Sequence, residues 1–338
     1  MSAPPTVDVH AHALIPQLHR LLVEQPEFGR QQEQDIRWFG AESAAVNGEQ
    51  MQRLGPRLTD PAARLAWMDR AGVDVQVISP MPLHHYWADR VLAERLTRLT
   101  NEQMAATAAV DPARLVGLGT VPLQHPDLAV AELTRAVDEY GLRGVQIGTF
   151  VVGGEIADDA LDGFWARAAE LDAVVFIHPW GCTLGERLDR HYLSNTVGNP
   201  VETAVALSHL VFSGLLDRHS GVRIVAAHGG GYLPTYLGRS DHAWQVRPDA
   251  RRCVDPPSSY LRRMCFDSLV YTPAALQHLV QAVGADRVVL GSDYPFDMGV
   301  DDPVDRLHAA GLDRPAEQAI RGGTASHLFG LTELPATA

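Results

Sequence analysis

The sequence predicts an α/β chain folded as a (β/α)8 TIM barrel with an insertion after its first strand. Three observations carry that expectation. Eight short apolar runs are spread along the 338 residues, helical patterns separate most of them, and four runs lead into a residue able to ligate a metal.

In chain order the runs are 7–10, 73–79, 116–121, 144–148, 173–178, 222–228, 264–267 and 287–292. Their Val and Ile content and unbroken hydrophobicity suit strands buried on both faces of a parallel sheet. Helical patterns lie at 61–71, 88–109, 129–140, 157–171, 201–217 and 273–283. A doubly wound open sheet is the competing arrangement, but its phosphate-loop fingerprint is missing. The rhythm breaks once, over 13–59, which is too long for a single connection. With Gly29, Gly40, Gly48 and Gly55 and few apolar residues, this segment reads as a lid or small subdomain over the barrel top, not as a separate domain. The expected organisation is one domain, 1–338, with a frayed tail from Leu334.

Apolar residues make up 46% of the chain, enough for a large core, and the net charge is −13. That charge argues against nucleic acid or an anionic membrane as partner, so a small anionic substrate needs a few local arginines. The first ten residues lack the features of a secretory signal, and no stretch approaches the ~18 apolar residues of a membrane span. Cys182, Cys253 and Cys265 are odd in number and lack CxxC spacing, as expected of reduced thiols in a cytoplasmic protein. All 28 basic residues are arginine. Whatever compositional bias produced it, the absence of lysine removes Schiff-base chemistry.

Barrel active sites form where the strands' C-terminal ends converge. Positions i and i+2 of a strand point the same way, so His10 and His12 can share one ion. His178 and Asp293, at the fifth and eighth run, can complete its shell, and His228 ends the sixth. Three imidazoles and a carboxylate with an open water position suit one divalent ion, zinc first, while manganese and iron tolerate the same set. The fourth run offers Gln146 and Gly148 in place of a carboxylate, which argues for a single metal. Such a centre can drive decarboxylation, hydrolysis of an amide or lactone, or hydration; spacing does not choose among them.

Several local runs narrow the choice: Asp8-Val9-His10-Ala11-His12, Val121-Pro122-Leu123-Gln124, His178-Pro179-Trp180, His228-Gly229-Gly230-Gly231, Leu237-Gly238-Arg239-Ser240-Asp241 and Gly291-Ser292-Asp293-Tyr294-Pro295-Phe296. Together they resemble the amidohydrolase superfamily, and within it the metal-dependent, non-oxidative decarboxylases typified by 2-amino-3-carboxymuconate-6-semialdehyde decarboxylase. The resemblance runs from Val7 to about Phe329. It implies that His10, His12, His178 and Asp293 are the metal ligands. His228 then stands just outside them, hydrogen-bonded to metal-bound water, and serves with Asp293 in catalysis as acid and base. It also implies that Arg239 reaches a neighbouring subunit's pocket and holds a substrate carboxylate, hence a homodimer. A second family arginine aligns with Gln52, so Arg53 or Arg57 is the candidate to replace it, and the family's aromatic before Asp60-Pro61 is Thr59 here.

The remaining features have plainer readings. His228-Gly229-Gly230-Gly231 resembles an oxyanion-hole motif, but no Gly-x-Ser-x-Gly elbow accompanies it, so the glycines are expected to bring backbone close to metal or substrate. Trp180 is expected to border the pocket, and the aromatics of 81–87 to line it or cluster beside it. Asp267 is expected to cap a loop, and Cys182 not to ligate metal.

Overall fold

The computed structural model describes residues 4–331, so the tail from Leu334 lies outside the described residues. Eight parallel strands form the barrel: β1 (Val7–Ala13), β2 (Val75–Pro80), β3 (Leu115–Gly117, resumed at Gly119–Thr120), β4 (Gly144–Ile147), β5 (Val174–Ile177), β6 (Arg223–Ala226), β7 (Cys265–Asp267) and β8 (Val288–Val289). Each pairs with its sequence neighbours, the two stretches of β3 joining β2 on one side and β4 on the other. The ring closes where Val9 N–H donates to the Leu290 carbonyl at 2.8 Å and Asp293 N–H to the His10 carbonyl at 2.7 Å.

Alternation along the strands sorts the apolar side chains. Val7, Val9, Val77, Val174, Phe176 and Val225 pack together inside the barrel. Ile78, Val145, Ile177, Ile224 and Phe266 face outwards against helix residues such as Met68, Leu133 and Leu207. The first strand departs from strict alternation. Asp8 pairs with Gln76 but Ala11 with Ile78, so β1 carries one extra residue opposite Val77. This β-bulge lets Val9 and His10 lie on the inner side in succession, which turns His10 and His12 towards the barrel mouth above an apolar floor.

The 13–59 segment is helical: α1 (Pro16–Leu22), α2 (Pro26–Phe39) and α3 (Ala41–Thr59) precede α4 (Pro61–Ala71). Gly29, Gly48 and Gly55 lie on these helices with open space around them. Glycine there weakens a helix by roughly 1 kcal/mol each without breaking it. Only Gly40, with φ +79, interrupts the run. The outer layer continues with α5 (Arg90–Ala108), α6 (Pro126–Asp138), α7 (Asp162–Glu170) and α8 (Asn199–Phe212). α9 (Leu237–Val246) and α10 (Pro273–Val283) follow. α7 begins later than its pattern, after a 3₁₀ turn at Asp159–Leu161, and α8 stops where Gly214 takes φ +71. No helix among the described residues is long and apolar enough to cross a membrane. The three cysteines are free and buried.

Candidate active site

Four side chains meet at the C-terminal mouth of the barrel: His10, His12, His178 and Asp293, all buried, with ligand-type atoms within 4.8 Å of one another. Each imidazole is fixed through its other nitrogen. His10 Nδ1 donates to Asp267 Oδ2 at 2.6 Å, His12 Nδ1 to the Pro80 carbonyl at 3.2 Å, and His178 Nδ1 to the Pro179 carbonyl at 2.9 Å. An acceptor at Nδ1 keeps the proton there and leaves the lone pair on Nε2. Those three Nε2 atoms and Asp293 Oδ1 are buried without a hydrogen-bond partner among the described residues. Orphaned acceptors clustered this way call for a cation. Asp293 Oδ1 lies 3.5 Å from His10 Nε2 and 3.3 Å from His12 Nε2. Both separations approach the ~3.4 Å edge of a tetrahedron whose corners stand ~2.1 Å from a central ion. The donor set fits one divalent metal, and it is the only cluster of this kind among the described residues.

Burial lowers the pKa of His12 and His178, so both stay neutral and able to ligate. At His10 burial acts in the same direction but is outweighed by the carboxylates of Asp293 and Asp267. Burial would raise Asp293, yet the charge of His10 and the neighbouring imidazoles of His12 and His228 hold it well below the usual carboxylate range. Beneath the ligands, Asp8 accepts from Ser292 Oγ at 2.6 Å and Gln76 Nε2 at 2.8 Å, tying β1 to its two neighbours. The fully buried Arg64 completes this layer, donating to Gln76 Oε1 at 2.7 Å and to the His12 carbonyl at 2.5 Å.

His228 follows β6 with φ 54, and its Nε2 lies 4.0 Å from Asp293 Oδ2. Its Nδ1 is buried and unpartnered among the described residues. The turn is pinned by Asp267, which accepts from the backbone N–H groups of His228 and Gly229, both at 2.8 Å, and of Leu269 at 3.1 Å. The capping expected of Asp267 is present, and the same carboxylate also orients a metal ligand, which sequence reasoning missed. The glycines after His228 let the backbone pack tightly: a Cβ on Gly229 would stand 2.4 Å from Val270, and one on Gly231 2.1 Å from the Pro200 carbonyl oxygen.

A cavity opens above the cluster, bounded by His178, His228 and Asp293 below and by Trp180, Tyr192 and Phe296 at its sides. Phe39, Gln50 and Met51 of the 13–59 segment cover it. Trp180 borders the cavity as expected, its ring 5.1 Å from that of Phe39. Met81 and Pro82 reach it too, whereas His84 and Tyr86 stack on each other behind it, against Gly148. Arg53 is not brought to the cavity. α3 turns Ser43, Gln50 and Leu58 inwards and leaves Arg53 exposed. Arg57 pairs with Asp301 at 3.0 Å. Arg239 is exposed on α9, a helix with no buried residue.

Comparison with known proteins agrees with this geometry. A family model described as amidohydrolase matches residues 7–331. The chain is 32% identical to 2-amino-3-carboxymuconate-6-semialdehyde decarboxylase of Dictyostelium discoideum, covering 96% of this chain and 91% of that protein. It is 30% identical to gamma-resorcylate decarboxylase of Rhodococcus jostii, covering 85% and 92%. It superposes on a crystal structure of 2,6-dihydroxybenzoate decarboxylase bound to 2,6-dihydroxybenzoate with a TM-score of 0.81 at 25% identity, over 98% of this chain and all of that one. With its four ligands at the mouth of an eight-stranded barrel, the chain belongs to the amidohydrolase family.

Proposed function

We infer that this chain is a mononuclear, metal-dependent, non-oxidative decarboxylase of a small aromatic or unsaturated carboxylic acid. The observation that carries the reading is the set of buried, unpartnered Nε2 atoms around Asp293, with His228 beside them. Relatives named as decarboxylases share most of the chain's length. A divalent ion, zinc first and manganese second, would be held by His10, His12, His178 and Asp293 and would supply Lewis acidity towards a substrate oxygen.

The chain's own residues supply the rest. When the carboxylate carbon leaves as CO2, the electron pair of the broken bond stays on the substrate carbon, which then needs a proton. His228 can carry that proton, since its imidazole stands beside the four-residue cluster with an unpartnered Nδ1. Asp293 faces His228 Nε2 with its second oxygen across 4.0 Å. Trp180 gives a planar wall, and α1–α3 act as a lid that keeps water from the carbanion. Arg239, exposed on α9, is proposed to enter the cavity of a second copy, making a homodimer, where its guanidinium would hold a carboxylate. Arg53 is given no role. Buried free thiols support a reducing, cytoplasmic setting.

The test is incubation of the metal-loaded protein with 2,6-dihydroxybenzoate, other hydroxybenzoates, muconates and lactones, read by CO2 release beside metal analysis. CO2 from at least one acid at about one ion per chain is expected. Ring opening of a lactone without CO2 from any acid would replace the reading with hydrolysis.

A further inference from the structure

The cavity walls contain two polar groups that the metal chemistry does not use. Gln50 is 5% exposed, and its Nε2 has no hydrogen-bond partner among the described residues. Asn199, the first residue of α8, has a buried Oδ1 in the same condition. Both line the cavity that His178, His228 and Asp293 bound. Asn47 and Gln50 fall one turn apart on α3, so that face of the lid presents carboxamides to the cavity. No arginine lines the cavity, and the chain has no lysine. Apart from Asp293 and the histidines, the charged side chain lining the cavity is the exposed Asp297.

We propose that Gln50 and Asn199 form a neutral hydrogen-bonding subsite that reads a ring hydroxyl, and that the substrate is a hydroxylated monocarboxylate, not a dicarboxylate. An unpaired buried amide group is costly, so the cavity is completed by a ligand that supplies its partners. A carboxamide offers a donor at one end and an acceptor at the other, and a phenolic hydroxyl both donates and accepts. A second carboxylate only accepts, so it leaves Asn199 Oδ1 without a donor, and the one carboxylate that Arg239 of a second copy would hold is already present in a monocarboxylate. The choice of acid rests on the decarboxylase reading; the subsite itself does not.

Binding is therefore measured apart from turnover. The probes are 2-nitroresorcinol, whose nitro group copies a carboxylate and cannot leave as CO2, and 2-nitrophenol, which lacks the second hydroxyl. The metal-loaded wild type should bind 2-nitroresorcinol about tenfold or more tightly, the scale of one hydrogen bond to an otherwise unpaired buried group. Gln50→Met and Asn199→Leu should each shrink that preference towards one, with metal content unchanged and the thermal midpoint no lower. If a variant does not fold, the comparison of the two probes in the wild type still decides. Equal binding of the probes, or an undiminished preference in both folded variants, overturns the subsite. In turnover, 2-hydroxybenzoate should exceed 4-hydroxyisophthalate, which adds only a second carboxylate, and the reverse order overturns the substrate class. Selective probe binding with no CO2 from any acid leaves the subsite standing and removes the decarboxylase reading.

Discussion

Replacing Asp267 by asparagine tests whether this carboxylate sets the metal site from behind. Its Oδ2 accepts from His10 Nδ1 at 2.6 Å and from the His228 N–H at 2.8 Å, while Oδ1 accepts from Gly229 and Leu269 N–H at 2.8 and 3.1 Å. Asparagine has one oxygen, so either way its amide is turned, two N–H donors meet an NH2 group. Each unpaired donor costs about 1–3 kcal/mol, which sums to roughly 2–6 kcal/mol of lost stability. With the oxygen turned to Gly229, His10 loses its acceptor, and its proton is free to move to Nε2, the atom that must ligate. Loss of such an outer partner lowers metal affinity about 10- to 100-fold. Chelator-stripped protein titrated with zinc against a chromophoric competitor reads the affinity, and melts of the metal-free protein read the stability. A folded Asp267→Asn protein with wild-type zinc affinity would refute the argument that this residue fixes the His10 tautomer.

Three further outcomes follow from the same geometry. His228→Ala should keep its metal, because His228 is outside the four-ligand cluster, while turnover falls about 10²- to 10⁴-fold; undiminished turnover removes its role as proton carrier. Gly181→Ala should cost about 1–3 kcal/mol in urea unfolding, since Gly181 has φ +83 and its Cβ would stand 2.5 Å from the Trp38 ring of α2; an unchanged midpoint means that α2 does not clamp this loop. Asp35 of α2 accepts from Gln31 and Trp180, and burial pushes its carboxyl up from 3.8 to about 6. The folded state thus binds this proton more tightly, so its stabilising effect is complete below the unfolded value and lost as pH rises through about 6. Asp35→Asn should abolish that step and gain up to about 3 kcal/mol at pH 8; parallel pH profiles of the two proteins would show that the carboxyl is not held out of water.

The metal ligands were legible in the sequence because barrel topology brings strand ends together whatever their separation along the chain. His10, His12, His178, His228 and Asp293 needed only a strand count to become neighbours. Alignment carries no helical phase: α3 turns positions 47, 50 and 51 to the cavity and leaves Arg53 exposed on the flank of that face. The helices of the 13–59 segment were missed because Gly29, Gly48 and Gly55 sit on helix positions with open space around them, where their cost is modest and no packing is lost.

Asp267 was legible only in part, and the reason lies in how the site is built. A carboxylate at a strand end is a cap whenever backbone N–H groups follow a turn, and that much is local. Its contact with His10 spans 257 residues and depends on two departures from regular backbone. The β1 bulge lets His10 face the interior directly after Val9, and the φ of 54 at His228 presents two successive N–H groups to the same carboxylate. Neither departure leaves a pattern in hydropathy. Once both are in place, a single buried anion holds both His10 and the turn that carries His228, so the spacing between the four-residue cluster and His228 is set by one residue outside it. A change at Asp267 should therefore disturb metal affinity and proton transfer together, whereas changes at His12 Nδ1, which rests on a main-chain carbonyl, should leave the His228 turn where it is.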